Sequence, residues 1–260
     1  MAGILFIISA PSGSGKSTLV SELRKQVSGV DFSISWTTRP PRGSEQDGRE
    51  YHFTDRATFE RMISAGEFME HAEVFGNYYG TSRSSLDAAR RQGHDLLLDI
   101  DVQGAEQVRK SMLEAVSIFI MPPNPKVLRT RLRNRFRAEG QINEADLYRR
   151  LSEASKEIEN YREYGYILVN DILDRAVAQL EAIVLAERYY RNSEPIALRA
   201  RRVLEVAAAC RITNSTERLK PVLEAFGILN PNGQQQLNFD VGTSPDDPVK
   251  SLLDEDDEDE

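Results

Sequence analysis

Hydrophobic and polar positions follow two rhythms along this chain. Short, nearly unbroken apolar runs recur at Ile4-Leu5-Phe6-Ile7-Ile8, Asp95-Leu96-Leu97-Leu98-Asp99-Ile100, Val116 to Met121 and Tyr166-Ile167-Leu168-Val169. Runs of that length suit strands buried on both faces. Between them lie segments of helical spacing, from about Lys16 to Val27 and from about Leu173 to Tyr190, and Pro122-Pro123 stops the third run. Strands alternating with helices predict an α/β fold whose central parallel sheet is covered on both faces. In such sheets ligands gather at the carboxyl ends of the strands.

Two segments break the alternation. Residues 32–82 are rich in Gly, Tyr, Arg and Thr, with turn signals at Pro40-Pro41 and Asp47-Gly48, and predict an inserted antiparallel unit. Residues 126–164 read as two helices joined around Ala138-Glu139-Gly140. The first carries Arg129, Arg131, Arg133, Arg135 and Arg137, a spacing that spreads side chains around a helix. Most of them are expected to be surface or ion-pair residues. After Asn192 the character changes again. Residues 196–209 predict a helix, Asn230 to Pro248 is polar, and Asp254 to Glu260 is entirely acidic. A like-charge block cannot bury apolar area and is expected to be disordered.

Charge and cysteine usage exclude several classes. The formal net charge is −8, but residues 246–260 hold nine acidic residues against Lys250 alone. The other 245 residues carry 32 acidic and 32 basic groups, so the acidity belongs to the tail. A nucleic-acid partner is not expected. One cysteine, Cys210, leaves no intramolecular disulfide; it fits a reducing compartment and reads as an unreactive thiol. His52, His71 and His94 are too scattered for a histidine-rich metal site. No run approaches the ~18 apolar residues of a membrane helix. The apolar start from Gly3 to Ala10 is short and leads into a loop with phosphate-binding character, not a cleavage site. A cytoplasmic protein without a membrane partner is the expectation.

That loop is Ala10-Pro11-Ser12-Gly13-Ser14-Gly15-Lys16-Ser17-Thr18, placed between the first strand and the first helix. The context is the one a nucleotide phosphate loop requires. Gly13 and Gly15 let backbone N–H groups turn inward around phosphate oxygens, and the helix N-terminus adds positive dipole. Lys16 is expected to reach the β- and γ-phosphates, and Ser17 to offer its hydroxyl to Mg²⁺. Ala10 stands where the consensus begins with Gly. The motif implies a nucleoside triphosphate and Mg²⁺ but does not name the phosphate acceptor.

Three further blocks address the acceptor. Ser35-Trp36-Thr37-Thr38-Arg39-Pro40-Pro41-Arg42-Gly43 continues to Glu45, Gly48 and Tyr51. Two arginines three apart, followed by tyrosine, suit an anchored phosphate. Gly66-Glu67-Phe68-Met69-Glu70-His71-Ala72 continues through Gly76-Asn77-Tyr78-Tyr79-Gly80-Thr81, and Leu98-Asp99-Ile100-Asp101-Val102-Gln103-Gly104 closes a central strand. Asp99 and Asp101 alternate along that strand and are expected on one face.

Together with the phosphate loop, these blocks resemble the guanylate kinases, enzymes that phosphorylate GMP at the expense of ATP. The resemblance runs from about Gly3 to Arg191. It implies a three-layer P-loop kinase, residues 1–191, with its GMP-binding insertion at about 32–82 and a helical lid at about 126–150. Residues 192–260 form an extension without a counterpart. Guanine presents two adjacent donors, N1–H and N2–H₂, and a carboxylate can accept from both, whereas adenine has no N1–H. Glu70 matches the family position that does this, Asp101 a second guanine contact, and Ser35 and Thr81 the side near O6. An unpaired buried carboxylate is costly, so AMP is expected to be rejected. Arg39, Arg42, Tyr51 and Tyr79 match the GMP phosphate clamp, with the two arginines also catalytic. Asp99 matches a carboxylate that meets Mg²⁺ through water. From the lid, Arg135 and Arg150 match best, with Arg131 beside them and Arg133, Arg137 and Arg149 as alternatives. ATP with Mg²⁺, and GMP or dGMP, are the implied cofactor and substrates, with direct in-line phosphoryl transfer.

The chain departs from the family pattern at Arg135-Phe136, where Arg-Gly is usual, and in a longer stretch to Arg150. Trp36 replaces a small residue and is expected to pack beneath the GMP unit, and Asn170-Asp171-Ile172 replaces Asn-Asp-Asp. Two other readings compete: a kinase for another small molecule, opposed by the Glu70, Asp101 and Ser35 set, and a non-enzymatic binding module, opposed by the intact phosphate loop. For the tail, a basic partner is the alternative to solubilising disorder.

Overall fold

The protein, seen in a computed structural model, is described over residues 3–74, 76–138, 144–192 and 198–230. The expected helix link at 139–140 and the acidic tail lie outside these residues. The chain opens on β1 (Leu5–Ser9), the phosphate loop and α1 (Lys16–Gln26), then β2 (Val30–Ser33). Next come β3 (Trp36–Thr37), β4 (His52–Phe53), α2 (Arg56–Ser64), β5 (Phe68–Val74) and β6 (Asn77–Ser82). After them follow α3 (Arg83–Gln92), β7 (Asp95–Asp99), α4 (Val102–Ser111) and β8 (Val116–Met121). The paired helices α5 (Pro125–Ala138) and α6 (Glu144–Glu159) precede β9 (Tyr166–Val169) and α7 (Leu173–Asn192). Last are α8 (Leu198–Cys210) and α9 (Thr216–Ala225). The class is the expected α/β one, with a parallel sheet, a second smaller sheet and helices. Among the described residues no helix is long and apolar enough to cross a membrane.

Two compact units divide the chain. The first comprises Met1–Ser9, Val20–Ile118 and Glu187–Ser193. Its large-sheet strands run in the order β2-β7-β1-β8, β8 contributing as far as Ile118. β7 pairs in parallel with β1, Leu5 opposite Leu96, and with β2, Val30 opposite Asp95. Asp95 begins this apolar strand because it is a buried anchor. Its Oδ1 accepts from the Ile4 amide at 2.7 Å, and its Oδ2 from Arg188 Nε at 2.7 Å.

The smaller sheet of this unit has the order β4-β3-β6-β5. It is antiparallel at β3–β6 and β5–β6 but parallel at β3–β4, so the insertion is mixed and not purely antiparallel. It also begins later than residue 32, since β2 carries Phe32 and Ser33 into the large sheet. Helix α2, capped by Asp55 Oδ1 accepting from the Thr58 amide at 2.8 Å, buries Phe59 and Met62 against Phe68. Trp36 meets His52 in a tilted ring contact with centroids 4.8 Å apart and packs against that cluster.

The second unit comprises Ala10–Leu19, Phe119–Ala186 and the chain from Glu194. Within it the remaining half of β8 neighbours β9. Helix α5 buries Leu128, Leu132 and Phe136, and α6 buries Leu147, Leu151, Ala154 and Ile158, each a single apolar stripe at helical spacing. Helices α8 and α9 come after β9, and between them Arg211 forms an antiparallel bridge to Tyr166.

Candidate active site

The phosphate loop lies in the second unit. Residues 10–19 turn from the end of β1 into α1, with Gly13 and Gly15 both at φ 86°. A Cβ at Gly15 would stand 2.4 Å from Asn170 Nδ2, so glycine is required there for space as well as for conformation. Asn170, itself only 4% exposed, donates from Nδ2 to the Ser14 carbonyl at 2.7 Å. Arg131 donates to that carbonyl at 3.3 Å and to the Asn170 carbonyl at 2.9 Å. Burial lowers the pKa of Arg131. Arg150 donates to Ser12 Oγ at 3.3 Å and lies 5.0 Å over the Phe136 ring.

The helical pair therefore brings Arg131 and Arg150 to the phosphate loop. Arg135 and Arg137 are exposed on α5, and Arg133 faces Glu144 at 3.6 Å. Phe136, in the place of the usual glycine, supplies the ring under Arg150. Lys16 opens α1 half-buried, followed by exposed Ser17 and Thr18. Ser14 Oγ, inside the loop, is buried without a hydrogen-bond partner. A buried hydroxyl in that state is costly unless a ligand oxygen meets it. A loop backed by donors and open to an anion can hold a nucleotide's phosphates.

The residues expected to hold the acceptor lie in the first unit, in two clusters. Arg39 is only 6% exposed and grips Glu45 with both arms of its fork, at 2.9 and 3.1 Å. Its guanidinium carbon sits 5.2 Å over the Tyr51 ring, and Tyr51 meets Tyr79 edge-on at 5.9 Å. Burial opposes the Arg39 charge, but Glu45 and Tyr79 outweigh it and the pKa is raised. Burial likewise works against the Glu45 carboxylate, yet Arg39 and the Arg42 amide hold its pKa down. Arg42 gives its amide to Glu45 at 2.8 Å while its side chain is exposed. Arg39, Tyr51 and Tyr79 are thus brought together, with Arg42 at the rim of the same turn.

The second cluster surrounds Glu70, 4% exposed on β5 and paired across the sheet with Thr81. Burial, reinforced by the charge of Asp101, pushes the Glu70 carboxyl up to about 7. Thr81 pulls in the other direction, although its Oγ1 makes no hydrogen bond of good geometry. Asp101 is not on the strand with Asp99. β7 ends at Asp99, and Asp101 caps α4, its Oδ1 accepting from the Gly104 amide at 2.8 Å. The shared strand face expected for the two aspartates is therefore absent, because the chain leaves the sheet to start a helix. A Cβ at Gly104 would stand 2.3 Å from Glu70 Oε2 and 3.3 Å from Asp101 Oδ1, so glycine makes the space in which the carboxylates converge. Ser35 is buried just before β3, its carbonyl accepting from the His52 amide at 2.9 Å. Asp99 ends β7 half-buried.

Glu45, Gly104 and Asn170 stand in the quoted sequence blocks without an assigned role, and their neighbours in the fold supply one. Asn170 follows the fourth apolar run directly, where a polar residue marks the carboxyl end of a strand. Glu45 sits six residues from Arg39 inside the same block, an opposite charge within reach. Gly104 closes its block, but only the Glu70 carboxylate explains it.

A strand, a glycine turn and a helix N-terminus in a parallel α/β fold, with arginines on the loop, define a P-loop nucleotide kinase. The family model for guanylate kinase matches residues 3–187. A guanylate kinase of Koribacter versatilis is 53% identical over 226 residues, 87% of this chain and 97% of that protein. One of Alkalilimnicola ehrlichii is 49% identical over 197 residues, 75% of this chain and 95% of that protein. The crystal structure of guanylate kinase from Anaplasma phagocytophilum aligns at a TM-score of 0.58 and 33% identity, covering 80% of this chain and 96% of that one. The chain belongs to the guanylate kinase family.

Proposed function

We infer that this chain catalyses the ATP-dependent phosphorylation of GMP to GDP, accepts dGMP as well, and transfers the phosphoryl group directly. The observation that carries the acceptor's identity is Glu70, a carboxyl group buried beside Thr81 and the first turn of α4. An ionised Glu70 accepts from guanine N1–H and N2–H₂, with Asp101 as a second acceptor and the hydroxyls of Ser35 and Thr81 toward O6. Adenine offers no N1–H, so AMP leaves a buried charge unpaired.

The acceptor's phosphate is held by Arg39 and Arg42 with the phenols of Tyr51 and Tyr79. Arg39 is already oriented by Glu45, which fixes the plane of its fork. On the donor side the backbone amides of residues 10–18 surround the ATP phosphates, and Lys16 reaches the β- and γ-oxygens. Arg131 and Arg150 stand against that loop and offset charge as the phosphoryl group leaves; Arg135 contributes from the exposed face of α5. The hydroxyl of Ser17 and, through water, the carboxylate of Asp99 are hard oxygen donors of the kind Mg²⁺ takes beside substrate phosphates. Donors of this kind would hold Mg²⁺, which would neutralise charge on the phosphoryl oxygens. No covalent enzyme intermediate is needed, because positioning and charge stabilisation carry phosphoryl transfer.

Lys16→Ala tests this reading. GMP-dependent ADP release is expected to fall about 100-fold or more, as when a transition-state donor is removed, with the thermal unfolding midpoint retained. Wild-type turnover in that variant contradicts the mechanism.

A further inference from the structure

We propose that Arg218 is a positioning residue for the ATP side of the reaction, and that residues 198–230 are a working part of the enzyme. The inference rests on the donor-side reading above. The family model ends at residue 187 and assigns this segment nothing. The 226-residue match to the Koribacter versatilis enzyme is longer than the 197 residues that precede it, so that relative shares part of the segment.

β9 is the last strand in its sheet order. A strand in that position presents unpaired backbone groups along its outer side. Here the segment covers the start of that edge. The Ile212 amide donates to the Gly165 carbonyl at 3.0 Å, Arg211 bridges Tyr166, and the Arg218 guanidinium donates to the Ile167 carbonyl at 2.9 Å. Arg218 is fixed in turn by donating to Ser215 Oγ at 2.9 Å, and Ser215 is fully buried and donates to the Arg211 carbonyl at 2.8 Å. The Arg211 guanidinium lies 4.9 Å over the Tyr166 ring.

The gripped strand leads straight to the phosphate loop. Val169 ends β9, and Asn170 follows it, its amide donating to the Met121 carbonyl at 2.8 Å and its side chain to the Ser14 carbonyl at 2.7 Å. Arg218 and Val222 also line a cavity of about 290 Å³ together with Val169 and Asp171, the two neighbours of Asn170. The guanidinium of Arg218 thus sets the position of β9, β9 sets Asn170, and Asn170 sets the Ser14 peptide inside the loop. Elements of this kind transmit small displacements because a packed strand moves as a unit.

The test is steady-state kinetics on the full chain, comparing Arg218→Ala, Arg218→Lys, Asn170→Ala, the Arg218→Ala/Asn170→Ala double variant and Lys16→Ala, with thermal unfolding of each. Arg218→Ala is expected to raise KM for ATP about fivefold, within the range that coupling networks show, while KM for GMP stays within about twofold. Arg218→Lys, which keeps a donor for the Ile167 carbonyl, restores most of the ATP KM. The double variant is less than additive, because both changes act on one link. The inference is overturned if the ATP KM is unchanged, if both KM values rise together, or if the double variant is additive. Should Arg218→Ala fail to fold, Arg218→Lys takes its place, with a smaller rise confined to ATP expected. Lys16→Ala separates the two claims: if it remains active the donor-side reading fails, whereas an inactive Lys16→Ala beside an unaffected Arg218→Ala sinks only this inference.

Discussion

At Glu70 the fold puts a carboxyl group where water cannot stabilise its charge. Burial against α4 and the neighbouring Asp101 charge raise its pKa to about 7, far above that of an exposed glutamate. If Glu70 receives guanine as proposed, the base's two donors need the ionised form, and GMP draws the proton off when it binds below neutral pH. KM for GMP is therefore expected to fall as pH rises from about 6 to 8, with a proton released on binding at the acid end. Stability has the opposite sign. With the folded pKa above the unfolded one, the contribution of Glu70 is fully present below about 4.5 and is lost as pH rises through 7. In Glu70→Gln both dependences flatten, as KM and thermal unfolding measured across pH can show. A KM for GMP that does not vary with pH in the wild type contradicts this account of the residue.

Among the elements, α5 separates what the sequence pattern reveals from what packing decides. Five arginines at spacing two are indistinguishable by pattern, and the structure sorts them by their neighbours. Arg131 donates to Ser14 and Asn170, while Arg135 is exposed on the same helix. Arg131→Ala is expected to lower kcat/KM for ATP about tenfold or more, the loss of a charged hydrogen bond, and Arg135→Ala by less; paired kinetics on the two variants decide. The reverse ranking would return the role to Arg135. Four of the five large-sheet strands could be read almost to the residue, because buried parallel strands are unbroken apolar runs; β2, a half-buried VDFS strand, could not. β3 and β4 could not, since two-residue strands such as Trp36–Thr37 exist only through pairing. α2 was hidden because Phe59 and Met62 are its only buried residues in nine. Asp101 was misplaced because strand alternation continues in the sequence after the chain has turned into α4. The candidate site motifs stand out because chemistry fixes their spacing, whereas Asn170, Glu45 and Gly104 lie in the quoted blocks without an assigned role, because each acts on another residue.

For the whole molecule, the net charge of −8 is a poor guide to the chemistry. The 245 residues before the acidic tail balance to zero, and in the proposed site local arginines and a helix N-terminus meet two polyanionic nucleotides. The tail lies outside the described residues, and at physiological salt its field is screened beyond ~8 Å. Residues 198–230 belong with the folded body through Arg211, Ile212 and Arg218 on β9, and Cys210 is wholly buried there with its thiol pKa raised by burial, which makes it a poor nucleophile. The central claim is that a buried carboxylate selects guanine as the base of the acceptor. Its most direct test is kcat/KM for GMP and for AMP on the full chain, followed as ADP release with saturating ATP and Mg²⁺. A preference for GMP of about 10⁴-fold or more is the expected result, the discrimination of a site built to hydrogen-bond its substrate. Comparable values for AMP would contradict it.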